Sequence, residues 1–314
     1  MTLNKVDIEK LKSDGFIKER GKDLFTVRMR VPGGRLSVDR LMRIAEVAQK
    51  YGKGHVHLSV RQSIELVNIN HADFDKVVAE LGEEQQKVAS VGARVRVPTA
   101  CGGCEYNPNG LVDTQKAALE VDEKLFGTET THHKFKVCFA GCPIDCPKSA
   151  LNDVGFQGAL SPALTPDECV GCGVCAKACR EGAISMDGGC VVYCPSKCVN
   201  CGDCVKSCPT GAWKVAKRGY SVRIGGKWGR HPLIGTLYAT FLPEEQVIGF
   251  IKEVLDWYIE KAEGLGRIRL GDIIVREGAE SLLAHLSGKF PEYTLGTTIA
   301  PQTVATQYAD TTTP

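Results

Sequence analysis

KFKVCFAGCPIDCPKSALNDVGFQG, residues 134–158, places Cys142 and Cys146 with three residues between them, and Gly141, Pro143 and Pro147 beside them. Lys134 and Lys136 precede a short apolar run. Two positions apart on a strand, they share one face. Cysteines this dense among glycine and proline do not read as ordinary core. They read as half of a metal-cluster nest, with cations close by to receive an anion.

The remaining sequence bounds what that nest can serve. With 314 residues the chain is long enough for a sizeable core and more than one domain. Charged residues are 24% and the net charge is +2. That balance excludes a general nucleic-acid binder, so any basic patch is local. The polar start MTLNKVDIEKLKSDG predicts no signal peptide. No apolar run approaches the ~20 residues of a membrane-spanning helix. The expectation is a soluble cytoplasmic protein with no nucleic-acid or membrane partner. Fifteen cysteines in such a chain are metal ligands before they are disulfides.

Periodicity predicts an α+β order. A strand is expected over Leu24–Val31, then a helix from an N-cap at Ser37 to a stop at Gly52. A strand-rich run follows from His55 to Ile69, and a helix opens at Asn70 or His71 and ends at Gly82. Ala93–Ala100 reads as a strand that delivers the chain to Cys101. Asp113–Phe126 and Val247–Ala262 read as helices, the second strongly amphipathic.

Between about Ser161 and Trp213 the composition turns to cysteine and glycine. Cys169, Cys172, Cys175 and Cys179 follow C-x2-C-x2-C-x3-C, and Cys198, Cys201, Cys204 and Cys208 repeat it. This is the run of the bacterial two-cluster ferredoxins, in which the fourth cysteine of each arm ligates the other cluster. It assigns Cys169, Cys172, Cys175 and Cys208 to one [4Fe-4S] cluster, and Cys198, Cys201, Cys204 and Cys179 to the other. Arg180, rather than proline, follows Cys179. Cys190 and Cys194 lie between the arms as spare thiols or alternative ligands. Two such clusters beside a third site imply an electron wire.

A third cluster needs four thiolates. Cys142 and Cys146 supply two, and Cys101 and Cys104, on a Gly-rich loop, are the candidates for the others. Cys138, inside an apolar run, reads as a buried bystander.

Five pieces in order carry a resemblance: R-x-R-V-P-G-G (Arg28–Gly34), V-R-Q (Val60–Gln62), K-F-K (Lys134–Lys136), G-C-P-x-x-C (Gly141–Cys146) and I-G-G-K-x-G-R-x-P (Ile224–Pro232). The chain resembles the sirohaem-dependent sulfite and nitrite reductases, and in layout the catalytic subunits of anaerobic sulfite reductases, up to about Leu283. The resemblance implies one half-repeat of that fold. Residues 1–90 would form a ferredoxin-like unit, and residues 91–160 with 216–295 a unit binding sirohaem and a [4Fe-4S] cluster. Residues 161–215 would be the inserted two-cluster domain and 296–314 a tail.

It further implies that Cys146 bridges the cluster to the sirohaem iron. Arg28, Arg96, Lys134 and Lys136 match the cations around the substrate. Arg61, Lys227, Arg230, His57 and Arg30 match places that hold the macrocycle's carboxylates. The family separates its first two cysteines by five residues, whereas only Gly102 and Gly103 separate Cys101 from Cys104. A set using Cys138 in place of one of them therefore stays open.

The implied activity is six-electron reduction of sulfite to sulfide with sirohaem and three [4Fe-4S] clusters. The alternatives are nitrite reduction to ammonia and a non-catalytic electron carrier. A half-repeat implies a homodimer. No Gly-rich dinucleotide fingerprint is present, so a ferredoxin or partner reductase subunits are expected to deliver electrons.

Overall fold

The structure is a computed structural model and describes residues 5–82, 88, 92–128, 130 and 132–303. The first unit runs α1 (Lys5–Ser13), β1 (Phe16–Lys18), β2 (Leu24–Arg28), α2 (Val38–Tyr51), β3 (Val56–Leu58), β4 (Ile64–Asn70) and α3 (Phe74–Leu81). Its antiparallel sheet has the order β1-β2-β4-β3. Phe25, Val27, Leu66 and Ile69 of the sheet bury against Ile44 and Val47 of α2 and Val77 and Leu81 of α3. The apolar spacing on both helices produces that single contact face. Ser37 caps α2 by accepting the Arg40 N–H, and Gly52 ends it, as the sequence predicts.

The run His55–Ile69 is not one strand. β3 and β4 fold back on each other through Ser59–Ser63, where the Ser59 N–H donates to Ser63 O at 2.8 Å and Gln62 takes a φ of 61°. The turn is held from outside. The Gln62 amide exchanges two hydrogen bonds with the backbone of Ala100, at 2.6 and 2.9 Å. Tertiary contact thus overrides the β propensity of the run.

The second unit comprises β5 (Thr99–Ala100), α4 (Gly103–Tyr106), α5 (Thr114–Leu125), β6 (Val137–Ala140) and β7 (Val154–Leu164). After an excursion it resumes with β10 (Trp213–Ile224), β11 (Leu233–Ile234), β12 (Thr236–Leu242), α8 (Val247–Lys261), α9 (Leu270–Glu277), α10 (Ala279–Lys289) and β13 (Gln302–Thr303). The excursion holds α6 (Val174–Ala178), a hairpin of β8 (Ile184–Asp187) and β9 (Cys190–Tyr193), and α7 (Asp203–Ser207).

The main sheet has the order β12-β10-β7-β6-β5, parallel through β5, β6 and β7 and antiparallel from β7 onward. Phe139, Phe156 and Tyr220 of the sheet pack with Val121 of α5 and Phe250, Val254 and Tyr258 of α8. Only Thr99–Ala100 of the expected strand Ala93–Ala100 is strand. Val95 adds an isolated bridge to Phe135. The β7–β10 ladder runs from Val154–Ile224 to Trp213–Leu164 and carries residues 165–212 at its far end. Gln302–Thr303 pairs with β11, so part of the stretch expected to be a tail is strand, and residues 304–314 lie outside the described residues.

Arg30 departs from expectation. β2 ends at Arg28, and Arg30 lies beyond it. Its guanidinium pairs with Asp122 on α5, with Nε 2.7 Å from Oδ2, and lies 3.9 Å from the centre of the Phe126 ring. Both groups of this pair are largely buried. Arg30 thus joins the two units instead of facing the site.

Candidate anion and iron–sulfur site

Six of the nine residues named for substrate or for the macrocycle's carboxylates meet in one open cleft of about 480 Å3: Arg28, His57, Arg61, Arg96, Lys134 and Lys136. Among the described residues, Glu65 is the one carboxylate on its wall. These six residues come from five pieces of backbone. Arg28 ends β2, His57 sits on β3, Arg61 on the turn, Arg96 before β5, and Lys134 and Lys136 lead into β6.

Five Lys and Arg groups around one carboxylate repel each other, and burial makes this costlier. Burial, then Arg61 and Arg269, push Lys136 down to about 7. Burial and the neighbouring arginines lower Arg96 to about 10. Lys134 is lowered in the same way. An anion in the cleft reverses these shifts, because opposite charge favours the protonated forms. Glu65 answers part of the field. Burial raises its carboxyl, but hydrogen bonds from His57 (2.8 Å) and Arg28 (2.7 Å) outweigh that and hold it below the usual range.

The wall is built through residues the sequence did not single out. Asp153, fully buried, pairs with Arg269 at 2.6 and 3.1 Å and accepts the backbone N–H of Lys136 at 2.9 Å. Its neighbour Asn152 accepts from Arg61 at 3.1 Å and donates to Lys148 O at 3.2 Å. Arg61 also donates to Val97 O at 2.7 Å. One short segment therefore fixes Arg61, Lys136 and the loop that carries Cys146. Lys227 does not line the cleft and pairs with Asp272 of α9, and Arg230 is exposed on the same loop.

Twelve of the fifteen cysteines fall into three groups. The loop of Cys101 and Cys104 lies directly against that of Cys142 and Cys146. Gly141 donates its N–H to Cys101 Sγ at 3.1 Å, and Gly103 donates to the same sulfur at 3.5 Å. Glycine is required in this approach. A Cβ on Gly110 would stand 2.2 Å from Gly103 O, and one on Gly141 2.8 Å from Gly103 Cα. Cys138 is apart, fully buried on β6 with its thiol 3.7 Å from Pro147 O. Burial pushes it up to about 12.

Cys169, Cys172, Cys175 and Cys208 line a second cavity with Trp213, and Cys179, Cys198, Cys201 and Cys204 line a third. The third also touches Cys142, Pro143 and Ile144. Cys190 is exposed, and Cys194 Sγ lies 3.2 Å from Ser196 Oγ. Neither lines these two cavities. Among the described residues, no three His, Cys, Asp or Glu side chains converge on a point that would hold a single ion. The sulfurs of the second and third groups line cavities instead.

Comparison with known proteins bears on the chain as a whole. The ferredoxin-like half domain of nitrite/sulfite reductases matches residues 17–84, and the nitrite and sulphite reductase 4Fe-4S domain matches residues 91–292. The coenzyme F420-dependent sulfite reductase of Methanocaldococcus jannaschii is 34% identical over 84% of this chain, a region that is 42% of its own length. One of the subunits of the anaerobic sulfite reductase of Salmonella typhimurium is 29% identical over 79% of this chain and 77% of its own. This chain therefore spans about two fifths of the first relative and three quarters of the second. In fold, a dissimilatory sulfite reductase I matches with a TM-score of 0.69 at 21% identity, over 83% of this chain and 68% of its own. The NirA protein of Mycobacterium tuberculosis matches with a TM-score of 0.66 at 16% identity, over 97% of this chain and 50% of its own.

Proposed function

The chain belongs to the nitrite and sulfite reductase family, and from that premise we propose that it reduces sulfite to sulfide at a sirohaem coupled to a [4Fe-4S] cluster. The observation that carries this reading is the cleft itself, in which five Lys and Arg groups converge against a single carboxylate. A pure electron carrier has no use for it.

The residues fit the groups. Sirohaem, when bound, would supply an iron to hold the anion's sulfur and a path for electrons. Its many carboxylates need the cations that otherwise repel one another here. Arg61, with His57, Lys227 and Arg230, would hold those carboxylates. Arg28, Arg96, Lys134 and Lys136 would hold sulfite, bidentate contacts from the guanidinium groups fixing its oxygens. Lys136, lowered to about 7, can also give up a proton near neutral pH. Reduction consumes six electrons and seven protons per sulfite and leaves HS⁻ and three waters, so protons must reach each oxygen as it departs.

Cys101, Cys104, Cys142 and Cys146 fit the coupled cluster. Backbone N–H groups already point at Cys101 Sγ, as they do at cluster thiolates. Cys146 would be the thiolate shared with the haem iron. Cys138 would stay outside. Cys138→Ala is therefore expected to leave the iron-to-protein ratio unchanged, whereas Cys142→Ser lowers it.

Residues 165–212 fit a two-cluster insert, one cluster on Cys169, Cys172, Cys175 and Cys208 and the other on Cys179, Cys198, Cys201 and Cys204. The second set shares its cavity with Cys142 and would be the last relay before the coupled cluster. A ferredoxin or partner reductase subunits would feed the first.

A second copy of the chain would complete the family's two-half arrangement. β3 is the outer strand of its sheet, and Leu58 and Val60 stand exposed next to the cleft. Light scattering is expected to give a dimer, and an active monomer would contradict it. The activity test is turnover with a reduced viologen dye. Sulfite is expected to be reduced to sulfide. Turnover with nitrite alone would favour ammonia formation, and none with either would leave an electron carrier.

A further inference from the structure

Trp213 opens β10 where the cysteine-rich excursion rejoins the main sheet. Its side chain is 3% exposed and lines the cavity of Cys169, Cys172, Cys175 and Cys208. Its indole Nε1 is enclosed and has no hydrogen-bond partner among the described residues. A buried donor without an acceptor leaves its desolvation uncompensated, and native folds rarely tolerate this without a reason. The cavity that Trp213 lines is walled by four cysteines together with Val170, Val191, Pro209 and Thr210.

The edge of this cavity is already rich in donors. Cys208 Sγ lies 3.6 Å from Thr210 Oγ1, and the backbone N–H groups of Thr210, Ala212 and Trp213 turn toward it. On its other side Trp213 meets Tyr193 edge-on, with ring centres 5.5 Å apart. Tyr193 in turn lines the cavity of the other cysteine set. The pair thus fills the space between the two cavities with rings, and one polar atom, the indole N–H, is left over.

We propose that the Trp213 indole N–H donates a hydrogen bond to a sulfur of the iron–sulfur cluster held by Cys169, Cys172, Cys175 and Cys208, and raises that cluster's reduction potential. The inference rests on the cluster assignment made above. A donor on a cluster sulfur stabilises the more negative, reduced state and makes the cluster a better one-electron acceptor. The second set has no indole on its wall, so the effect is specific to one of two otherwise similar clusters. It favours the cluster farther from Cys142 as the one that receives electrons.

The test is an EPR-monitored redox titration of the full-length, anaerobically purified protein and its Trp213→Phe variant, which keeps a ring and loses the donor. One cluster is expected to become harder to reduce, its reduced-to-oxidised ratio falling roughly five-fold at a fixed poise near its midpoint. The other clusters should titrate as before. Should the variant lose its clusters, ENDOR on reduced wild-type protein with 15N-indole tryptophan decides, through a hyperfine coupling from one nitrogen. Unchanged midpoints with all clusters present, or no 15N coupling in the wild type, overturn the Trp213 assignment alone. Wild-type protein without signals of the insert clusters overturns the ligand assignment beneath it.

Discussion

Lys136→Met is expected to lower sulfite reduction by about 100-fold or more, the size associated with loss of a placed acid in a reacting site. Lys136 sits in the cleft with Arg28, Arg61, Arg96 and Lys134, so the anion loses both a cation and a proton source. The pH profile separates these roles. In the free protein Lys136 gives up its proton through about pH 7, because burial, Arg61 and Arg269 all disfavour its charge. Capture of sulfite, read as kcat/KM, should therefore weaken as pH rises through that value. Lys136→Arg keeps its charge throughout. It should flatten the profile while keeping anion affinity and losing turnover.

The same shift predicts a stability trend. Between about 7 and the usual lysine value of 10.5 the unfolded chain binds more protons than the folded one. Stability of the ligand-free protein thus rises with pH across that window. Lys136→Met should remove part of the rise, as followed by thermal unfolding. A profile unchanged by both substitutions would remove Lys136 from the site.

Asp153→Asn carries the second large effect, a loss of about 3–5 kcal/mol in stability, the cost of removing one partner of a buried ion pair. Asp153 and Arg269 have side chains 1% and 8% exposed. Asp153 also accepts from Lys136 and leads into β7. The two partners are not equivalent. Removing Asp153 leaves Arg269 beside Arg61, Arg96, Lys134 and Lys136 with its counter-charge gone. Arg269→Met removes one of the repelling cations and leaves Asp153 near the others. Asp153→Asn should therefore be the more destabilising in urea unfolding, and equal losses would show that the cation cluster does not act through Asp153.

The parts of this site that were legible in the sequence are those that chemistry ties to local spacing. A cubane needs several thiolates close in the chain, so the two cysteine runs and Cys142 with Cys146 stood out. Lys134 and Lys136 were visible as a pair two residues apart, and both line the cleft although β6 begins only at Val137. Family resemblance added Arg28, Arg61 and Arg96, and the fold brings all three into the cleft.

What was not legible depends on distance along the chain. Asp153 lay inside the quoted stretch, but its meaning comes from Arg269, 116 residues away. Nothing local marks Arg269 as buried. Nothing local showed that β2 stops at Arg28 and that the Arg30 guanidinium turns to Asp122. The two-strand hairpin hidden in His55–Ile69 was set by Ala100 and Val97, which take up the side chains of Gln62 and Arg61. α9 and α10 escaped notice because Gly271, Gly278 and Gly288 interrupt a short apolar pattern.

The visible absorption spectrum of the anaerobically purified protein, recorded before and after reduction and again with sulfite added, tests the proposed function most directly. Sirohaem bands that move when sulfite binds, superimposed on broad iron–sulfur absorption, are the expected result. Iron–sulfur absorption alone, unaltered by sulfite, would contradict it.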